Sequence, residues 1–146
     1  MKLSTRVHYG LRILCQLAGS YNSGPLQMSE IGGREGISEK YLGQIMLGLR
    51  SAKLVEAHRG SQGGYFLARA PASISVLDLV IALDGEALEP FDSDESTSSG
   101  SRDTDAMAGE AWTRLRASME QSLKVLSLED LVKIALSKDA AGDFSI

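Results

Sequence analysis

Residues 38–65 combine side-chain types that are suited to holding DNA. The segment Ser38–Met46 is polar-capped and amphipathic, and a short apolar stretch then leads into the basic, glycine-rich sequence Arg59–Tyr65. Basic side chains neutralise phosphates, whereas amides and guanidinium groups pair with base edges in the grooves. A helix followed by a basic hairpin is the order in which a winged helix-turn-helix protein presents its DNA-binding parts, so this stretch predicts a DNA contact.

Individual side chains in this stretch suit particular parts of the duplex. The amide of Gln44 can pair with adenine, and Lys40 or Arg50 can neutralise phosphate. Arg59 beside Gly60 suits a narrow minor groove, because its negative potential attracts a guanidinium and glycine lets the backbone approach closely. The competing interpretation is an ordinary solvated helix face and hairpin. The outward positions predicted for this helix are Glu39, Lys40, Gly43, Gln44 and Arg50.

Three predicted helices position these side chains. Ser4 is a candidate N-cap for the first, whose apolar stripe is Leu3, Val7, Leu11, Leu14 and Ala18. Ser29 is predicted to cap a short second helix that Gly36 ends. Ser38 is predicted to cap the third, with the stripe Leu42, Ile45, Met46 and Leu49. Two helices joined by a glycine-bearing turn indicate a helix-turn-helix.

The rest of the chain predicts a wing and a helical arm. Val55–His58 and Tyr65–Leu67 flank a turn with three glycines, which indicates a two-stranded hairpin. A capping box at Ser75 starts a fourth helix that ends near Gly85, and 86–105 is predicted to be a solvated loop. Ser127 is predicted to cap a last helix. The apolar positions of the two carboxy-terminal helices are Trp112, Leu115, Met119, Leu123 and Leu126, then Leu128, Leu131, Val132 and Leu136.

The predicted fold class is therefore mainly α with a small β-hairpin wing. We expect a winged helix-turn-helix DNA-binding domain over 1–85, an acidic flexible loop over 86–105, a helical dimerisation region over 106–137 and a tail over 138–146. The long helix needs a surface to pack on, and a second copy provides one, since dimers match palindromic half-sites. The predicted dimer-interface residues are Trp112, Leu115, Met119 and Leu123.

The charge of the chain is distributed unevenly. The whole sequence carries a net charge of −4, but residues 1–70 hold nine basic and four acidic side chains, and the remainder holds six and fifteen. A basic amino half can meet phosphates while the acidic part discourages nonspecific binding. No apolar run of membrane-spanning length and no signal-peptide pattern is present, so a cytoplasmic protein is expected. Its single cysteine, Cys15, excludes an intrachain disulfide.

The motifs together resemble the Rrf2 family of bacterial winged-helix repressors, over nearly the whole chain. They are the segments 2–6, 9–12, 36–42, 49–50, 59–60, 62–65 and 80–85, with the Trp112 helix and 127–131. The resemblance implies a dimeric transcription regulator whose third helix enters the major groove and whose wing arginine reaches the minor groove. With the residue types, it predicts DNA contacts by Arg6, Ser38, Lys40, Tyr41, Gln44, Arg50, Arg59, Gly60 and Gln62.

Two departures from the family bear on its function. Relatives often carry glutamate at the position of Gly43, and a carboxylate there can accept from cytosine, so the operator sequence is not inherited. Cluster-binding members place three cysteines between the fourth helix and the long helix, where this chain has Asp, Ser, Thr and Gly. Without those thiolates an iron–sulfur cluster lacks its usual ligands, so no cofactor is predicted. The branch without a cluster, which represses cysteine metabolism, is the nearest in kind.

Several alternatives stay open. Cys15 follows His8 by seven residues, which would suit a redox or metal site, but a small buried cysteine that packs like alanine is the favoured interpretation. The Trp112 stripe could line an effector pocket, although a core or dimer seam is more typical. Acidic residues 92–95 could bind a cation or a protein, or serve as a linker. No set of nucleophile, base and orienting group indicates an enzyme. The alternative function is an interaction module of the same fold that acts mainly by binding a metabolic enzyme, such as an enzyme of cysteine synthesis. A protein effector is also among the partners considered for the regulator.

Overall fold

The computed structural model describes residues 2–89 and 101–142. It confirms a mainly helical protein with one antiparallel hairpin and a carboxy-terminal helical arm. The elements are α1 (Thr5–Gly19), α2 (Met28–Glu35), α3 (Glu39–Ser51), β1 (Val55–His58), β2 (Gly64–Leu67), α4 (Val76–Asp84), α5 (Arg102–Lys124) and α6 (Leu128–Ala140), with short 3-10 helices at Pro71–Ser73 and Gly85–Leu88. None of the helices in these ranges is both long and apolar enough to span a membrane.

Serine side chains start four of the helices where the sequence predicts them. The Ser4 hydroxyl accepts from the Val7 N–H at 3.4 Å, and Ser38 accepts from the Tyr41 N–H at 3.2 Å. Ser75 and Ser127 each form a complete capping box with the aspartate three residues later. Each cap satisfies a backbone donor that the first helical turn leaves without a partner.

The predicted Ser29 cap is wrong. Helix α2 begins two residues earlier than that cap predicts, at Met28, and its N-cap is Gln27, whose side chain makes no capping hydrogen bond. Leu26 explains the shift, because its backbone N–H and C=O both pair with Tyr65 of β2. These two hydrogen bonds keep the backbone extended as far as Gln27. The helix therefore starts at Met28, the first residue beyond the extended segment. Gly36 ends α2 as predicted, with a left-handed φ of 66°.

This difference gives a matched pair of substitutions. We expect Ser38→Ala to lower the free energy of unfolding by about 1 kcal/mol, because the Tyr41 N–H loses its acceptor. Ser29→Ala should change it by less than about 0.5 kcal/mol, since Ser29 is an exposed residue inside the helix. Urea denaturation of the two variants measures both values, and equal losses would contradict the assignment of the caps.

The core lies between the amino-terminal helices and continues into α6. The apolar stripe predicted for α3 is buried, and Leu128 at the start of α6 is fully buried in the same core, where α6 packs against α1. Gly10 brings α1 close to α4, because a Cβ there would lie 2.5 Å from the Leu83 Cδ1 atom. The core comprises Val7, Ile13, Leu14, Leu17, Ala18, Leu26, Ile31, Leu42, Ile45, Met46, Leu49, Leu54, Val55, Leu67, Ile74, Val76, Leu79, Val80, Leu83, Leu88 and Leu128.

Helix α6 is joined to the start of α4 by backbone hydrogen bonds. The Val76 N–H donates to the Leu126 carbonyl and the Leu128 N–H to the Ile74 carbonyl, both at 2.9 Å. The two capping boxes therefore lie side by side. Leu131 and Val132 pack partly against the core, whereas Leu136 is 63% exposed, so the last of the apolar positions predicted for this helix does not reach the core.

The predicted loop over 86–105 is shorter than expected at both ends. Residues 85–88 form a 3-10 helix because Leu88 is buried in the core, and α5 begins at Arg102. Asp103 and Asp105 in the first turn of α5 favour that start, since acidic groups stabilise a helix N-terminus. The acidic stretch of the loop, including 92–95, falls mostly in 90–100, outside the described residues.

The hairpin is anchored to the body through β2. Val55, Glu56, Ala57 and His58 pair with Leu67, Phe66, Tyr65 and Gly64 respectively. On the other side of β2, Leu26 and Tyr65 exchange two backbone hydrogen bonds, of 2.9 and 2.8 Å. The wing is thus held to the segment that leads into α2.

Candidate nucleic-acid interface

Helix α3 presents a polar stripe opposite its buried one. Leu42, Ile45, Met46 and Leu49 are buried, and about 100° of rotation per residue places Lys40 and Gln44 on the opposite side. Both of these side chains are exposed. Both residues therefore point outward as predicted, and one face of the helix exposes an amide and an ammonium group.

Gly43 and Arg50 lie on a flank of α3 rather than on its outermost line. Arg50 is exposed near the end of the helix, close to the start of β1. No atom lies within 4 Å of a Cβ placed on Gly43, so the surface there is open. A glutamate of the kind that relatives carry would fit without a clash, and its absence leaves room for a base or sugar.

Tyr41 lies on the opposite flank and packs against α1. Its ring meets that of Tyr9 edge to face, with centroids 5.9 Å apart and an angle of 89°, and the Arg12 guanidinium carbon lies 5.9 Å from the Tyr9 centroid. Tyr41 is thus half-buried. Its ring helps to fix the first turn of α3 against α1, where Ser38 caps the helix.

A buried carboxylate that the sequence patterns did not single out ties α2 to α1. The Glu35 side chain is only 7% exposed, and it contacts the Arg12 Nε and Gln16 Nε2 atoms. Charged groups are rarely buried without a partner. The four-residue spacing of Arg12 and Gln16, which places both on one side of α1, is the only sequence signal for this contact. Glu35 therefore fixes the helix that precedes α3.

The wing exposes its basic and polar side chains at the turn. Arg59, Gly60 and Gln62 are all exposed in the segment between β1 and β2. Gly60 has a φ of 119°, which favours glycine, and no atom lies within 4 Å of a Cβ built there. As predicted, one turn carries both an exposed guanidinium, that of Arg59, and a backbone at Gly60 that no neighbouring atom covers.

The amino-terminal cations divide into paired and unpaired groups. Arg12, Arg34 and Arg69 form salt bridges with Glu35, Glu30 and Asp78. By contrast, no acidic side chain within 2–89 and 101–142 forms a salt bridge with the four basic residues predicted to contact DNA, which are Arg6, Lys40, Arg50 and Arg59. Exposed cations without a protein partner are available to phosphates.

Arg6 is brought beside α3 by the packing of α1. Its Nη2 atom lies 3.6 Å from the position that a Cβ of Gly48 would occupy. The missing side chain at Gly48 also allows close contact with Leu83, whose Cδ2 atom would lie 2.7 Å from that Cβ. Arg6 therefore joins the later part of α3, although it is distant in sequence.

The predicted dimer residues lie on the carboxy-terminal arm. No side chain of α5 is buried in the single chain. Trp112 and Leu115 are 37% and 43% exposed. Met119 is half-buried, and Leu123 packs partly against the core. Trp112 also lines an open groove with Arg116 and Glu89, whose charges pair with each other.

The donor groups do not fit an iron–sulfur cluster held by cysteine thiolates. The sole cysteine, Cys15, is half-buried in α1. In the described part of the chain, no three His, Cys, Asp or Glu side chains come together to hold a metal ion. A cluster of this kind needs several thiolates at one place, and Cys15 supplies only one.

Cys15 is expected to react slowly. Burial raises the pKa of its thiol above the ordinary 9.0, and the nearby carboxylate of Glu35 raises it further. Since the thiolate is the nucleophile, iodoacetamide labelling of the folded protein at pH 7 should be slower than that of the chain unfolded in urea. The folded rate should continue to rise as the pH passes 9.0. A rate that reaches its plateau below pH 8 would reveal an activated thiol instead.

Comparison with known proteins agrees with this geometry. The Rrf2 family, described as "Iron-dependent Transcriptional regulator", matches residues 3–134. The chain is 34% identical to the HTH-type transcriptional regulator CymR of Bacillus subtilis over 146 residues, covering all of both chains. Its structure is similar to that of CymR, the global cysteine regulator of B. subtilis, with a TM-score of 0.75, 33% identity and coverage of 92% and 98% of the two chains.

A second solved structure extends the similarity to another type of regulator. IscR of T. potens has a TM-score of 0.73 and 36% identity, with 92% of this chain and 88% of that one covered. The predicted winged helix-turn-helix fold with a carboxy-terminal helical arm is thus confirmed. The chain belongs to the Rrf2 family of transcriptional regulators.

Proposed function

We propose that this protein is a sequence-specific DNA-binding repressor that acts in the cytoplasm as a homodimer without an iron–sulfur cluster. The observation that carries the proposal is the exposure of Arg6, Lys40, Arg50 and Arg59 on three elements of a winged helix-turn-helix, where none of the four forms a salt bridge with residues 2–89 or 101–142. The relatives CymR of Bacillus subtilis and IscR of Cereibacter sphaeroides are named as HTH-type transcriptional regulators, which supports the same function.

Helix α3 is the proposed reader of the major groove. Gln44 pairs with adenine from the outward stripe, and Lys40 and Arg50 contact phosphates, joined by Arg6. The hydroxyl groups of Ser38 and Tyr41, at the start of α3, donate hydrogen bonds to phosphate oxygens of the DNA. The rigid packing of Tyr41 on Tyr9 holds that first turn in place.

The wing is the proposed contact to the minor groove. Arg59 enters a narrow A·T-rich groove, where the negative potential is greatest, while Gly60 allows the turn to approach the sugar edges. Gln62 lies at the same turn and donates to the DNA backbone. Because Leu26 anchors β2, the wing keeps a constant position relative to α2 and α3.

A second copy of the chain is proposed to cover α5. This helix of 23 residues is about 35 Å long and buries none of its side chains in the single chain. Trp112, Leu115, Met119 and Leu123 recur on it at three- and four-residue steps and so share one face, on which Trp112 and Leu115 are 37% and 43% exposed. A dimer through this face would present two recognition helices to a palindromic operator.

The proposed absence of a cluster rests on the donor set. A single half-buried thiol beside Glu35 cannot replace three exposed thiolates. Regulation is then expected from a metabolite or a protein that changes the spacing of the two recognition helices. Anaerobic reconstitution followed by iron and sulfide analysis tests this part, and stoichiometric incorporation of both would overturn it.

Affinity selection of genomic DNA tests the function as a whole. The purified full-length protein, free of metal, is mixed with fragmented DNA of its source organism at physiological salt, and the retained fragments are sequenced. We expect enrichment of a palindrome upstream of a few genes, with an affinity that falls steeply as salt rises. A folded, dimeric protein that enriches no sequence would overturn the proposal and favour the interaction module that binds a metabolic enzyme.

A further inference from the structure

The recognition helix exposes one large apolar side chain. Leu47 lies in α3 and is 67% exposed, in contrast to the buried Leu42, Ile45 and Leu49 of the same helix. It follows Gln44 by three residues and Lys40 by seven. At about 100° per residue, these steps place Leu47 on the outward stripe with them. An apolar group therefore stands on the line of side chains that faces the proposed major groove.

We propose that Leu47 is a specificity-determining residue that reads thymine through its C5-methyl group. The proposal rests on the DNA-binding function proposed above and concerns the same surface. A leucine side chain can neither donate nor accept a hydrogen bond, and phosphates offer it no apolar contact. The thymine methyl is the apolar group that standard base pairs display in the major groove.

The surroundings of Leu47 match a target of this size. The groove beside it is lined by the exposed polar residues Arg50, Ser51 and Glu56, with the small exposed Ala57 and the buried Val55, so Leu47 is the one large exposed apolar side chain within a mainly polar rim. A single leucine within such a rim is far smaller than the apolar centre of a stable protein interface. The Leu47 side chain is large enough to cover a single methyl group, while Arg50 at the rim contacts a phosphate.

The spacing along α3 predicts where the thymine lies. Gln44 and Leu47 are separated by about 4.5 Å along the helix axis, and successive base pairs are about 3.4 Å apart. The thymine should therefore lie one or two base pairs from the adenine that Gln44 reads. Together, Gln44 and Leu47 would select a short A·T-containing step within each half-site.

The experiment uses duplexes in which the methyl group alone is removed. The most enriched sequence from a random-duplex selection with the full-length wild-type protein serves as the probe. Each thymine is replaced in turn, symmetrically in both half-sites, by deoxyuridine, which lacks the C5-methyl group. Binding of wild-type and Leu47→Ala proteins is measured by fluorescence anisotropy at matched salt.

One thymine per half-site should stand out. Loss of its methyl group should weaken wild-type binding by about fourfold per half-site. The same change should leave the affinity of Leu47→Ala unaltered, since the group that contacts the methyl is already absent. Leu47→Met, which keeps an apolar reach, should restore the sensitivity. Because Leu47 is exposed and alanine favours helices, thermal unfolding of Leu47→Ala should match that of the wild type.

The outcomes separate this inference from the proposed function. If the wild type enriches a sequence but deoxyuridine affects both proteins equally at every position, Leu47 does not read a methyl, while DNA binding stands. If the wild type enriches no sequence, DNA binding itself fails, and the role of Leu47 falls with it.

Discussion

Gly64→Ala is expected to lower the free energy of unfolding by about 3 kcal/mol, a loss of the size expected when backbone strain adds to a clash. Gly64 has a φ of 152°, and a Cβ there would overlap the carbonyl oxygen of Leu26 and lie 2.7 Å from its carbonyl carbon. Backbone atoms at this contact cannot move aside, because Leu26 and Tyr65 exchange two hydrogen bonds. Equilibrium urea denaturation, followed by circular dichroism, measures the loss.

Gly33→Ala is the matched control for this substitution. Gly33 lies inside α2, has no atom within 4 Å of a built Cβ and shows no left-handed φ. Alanine there should stabilise the protein by up to about 1 kcal/mol through its helix propensity. If Gly64→Ala were as harmless as Gly33→Ala, then the bridge between Leu26 and Tyr65 would not anchor the wing.

Arg59→Ala is expected to weaken operator binding by about 1 to 3 kcal/mol while leaving the stability of the fold unchanged. The side chain is exposed at the wing turn and forms no salt bridge within the described ranges, so its removal breaks no ion pair there. Its proposed place is a narrow minor groove, where a guanidinium is strongly attracted. Anisotropy titrations of the selected operator at matched salt measure the change.

Lys133→Ala provides the charge-matched control. Lys133 is an exposed cation on α6 that pairs with Glu129 at 3.6 Å, on the carboxy-terminal arm. Its loss also removes one positive charge, so any effect of net charge alone appears in both variants. An Arg59→Ala protein that binds the operator as tightly as Lys133→Ala would remove the wing from the mechanism.

Local chemistry explains why much of this fold can be predicted from the sequence. A serine followed by an amphipathic stretch caps its own helix, as Ser38 and Ser75 do, and the partners lie within three residues. Gly36 ends α2 for an equally local reason, since its left-handed φ suits glycine. The turn with three glycines likewise predicts the hairpin and the exposure of Arg59. In each case the residues that cause the feature are close together along the chain.

Structural features that depend on residues far apart in the sequence could not be predicted from local patterns. Helix α2 starts at Met28 because Tyr65, far along the chain, holds Leu26 extended. Glu35 is buried because α1 brings Arg12 and Gln16 to it, and Leu136 is exposed because the contact of α6 with the core ends before it. Arg12 and Arg59 are the same residue type, yet Arg12 pairs with the Glu35 carboxylate, whereas Arg59 forms no salt bridge in the part of the chain that the structure describes. The sequence specifies the family, the turns and those helix ends that local contacts set. Pairing and burial between remote segments follow from packing, because the free energies of these contacts depend on which segments meet in space.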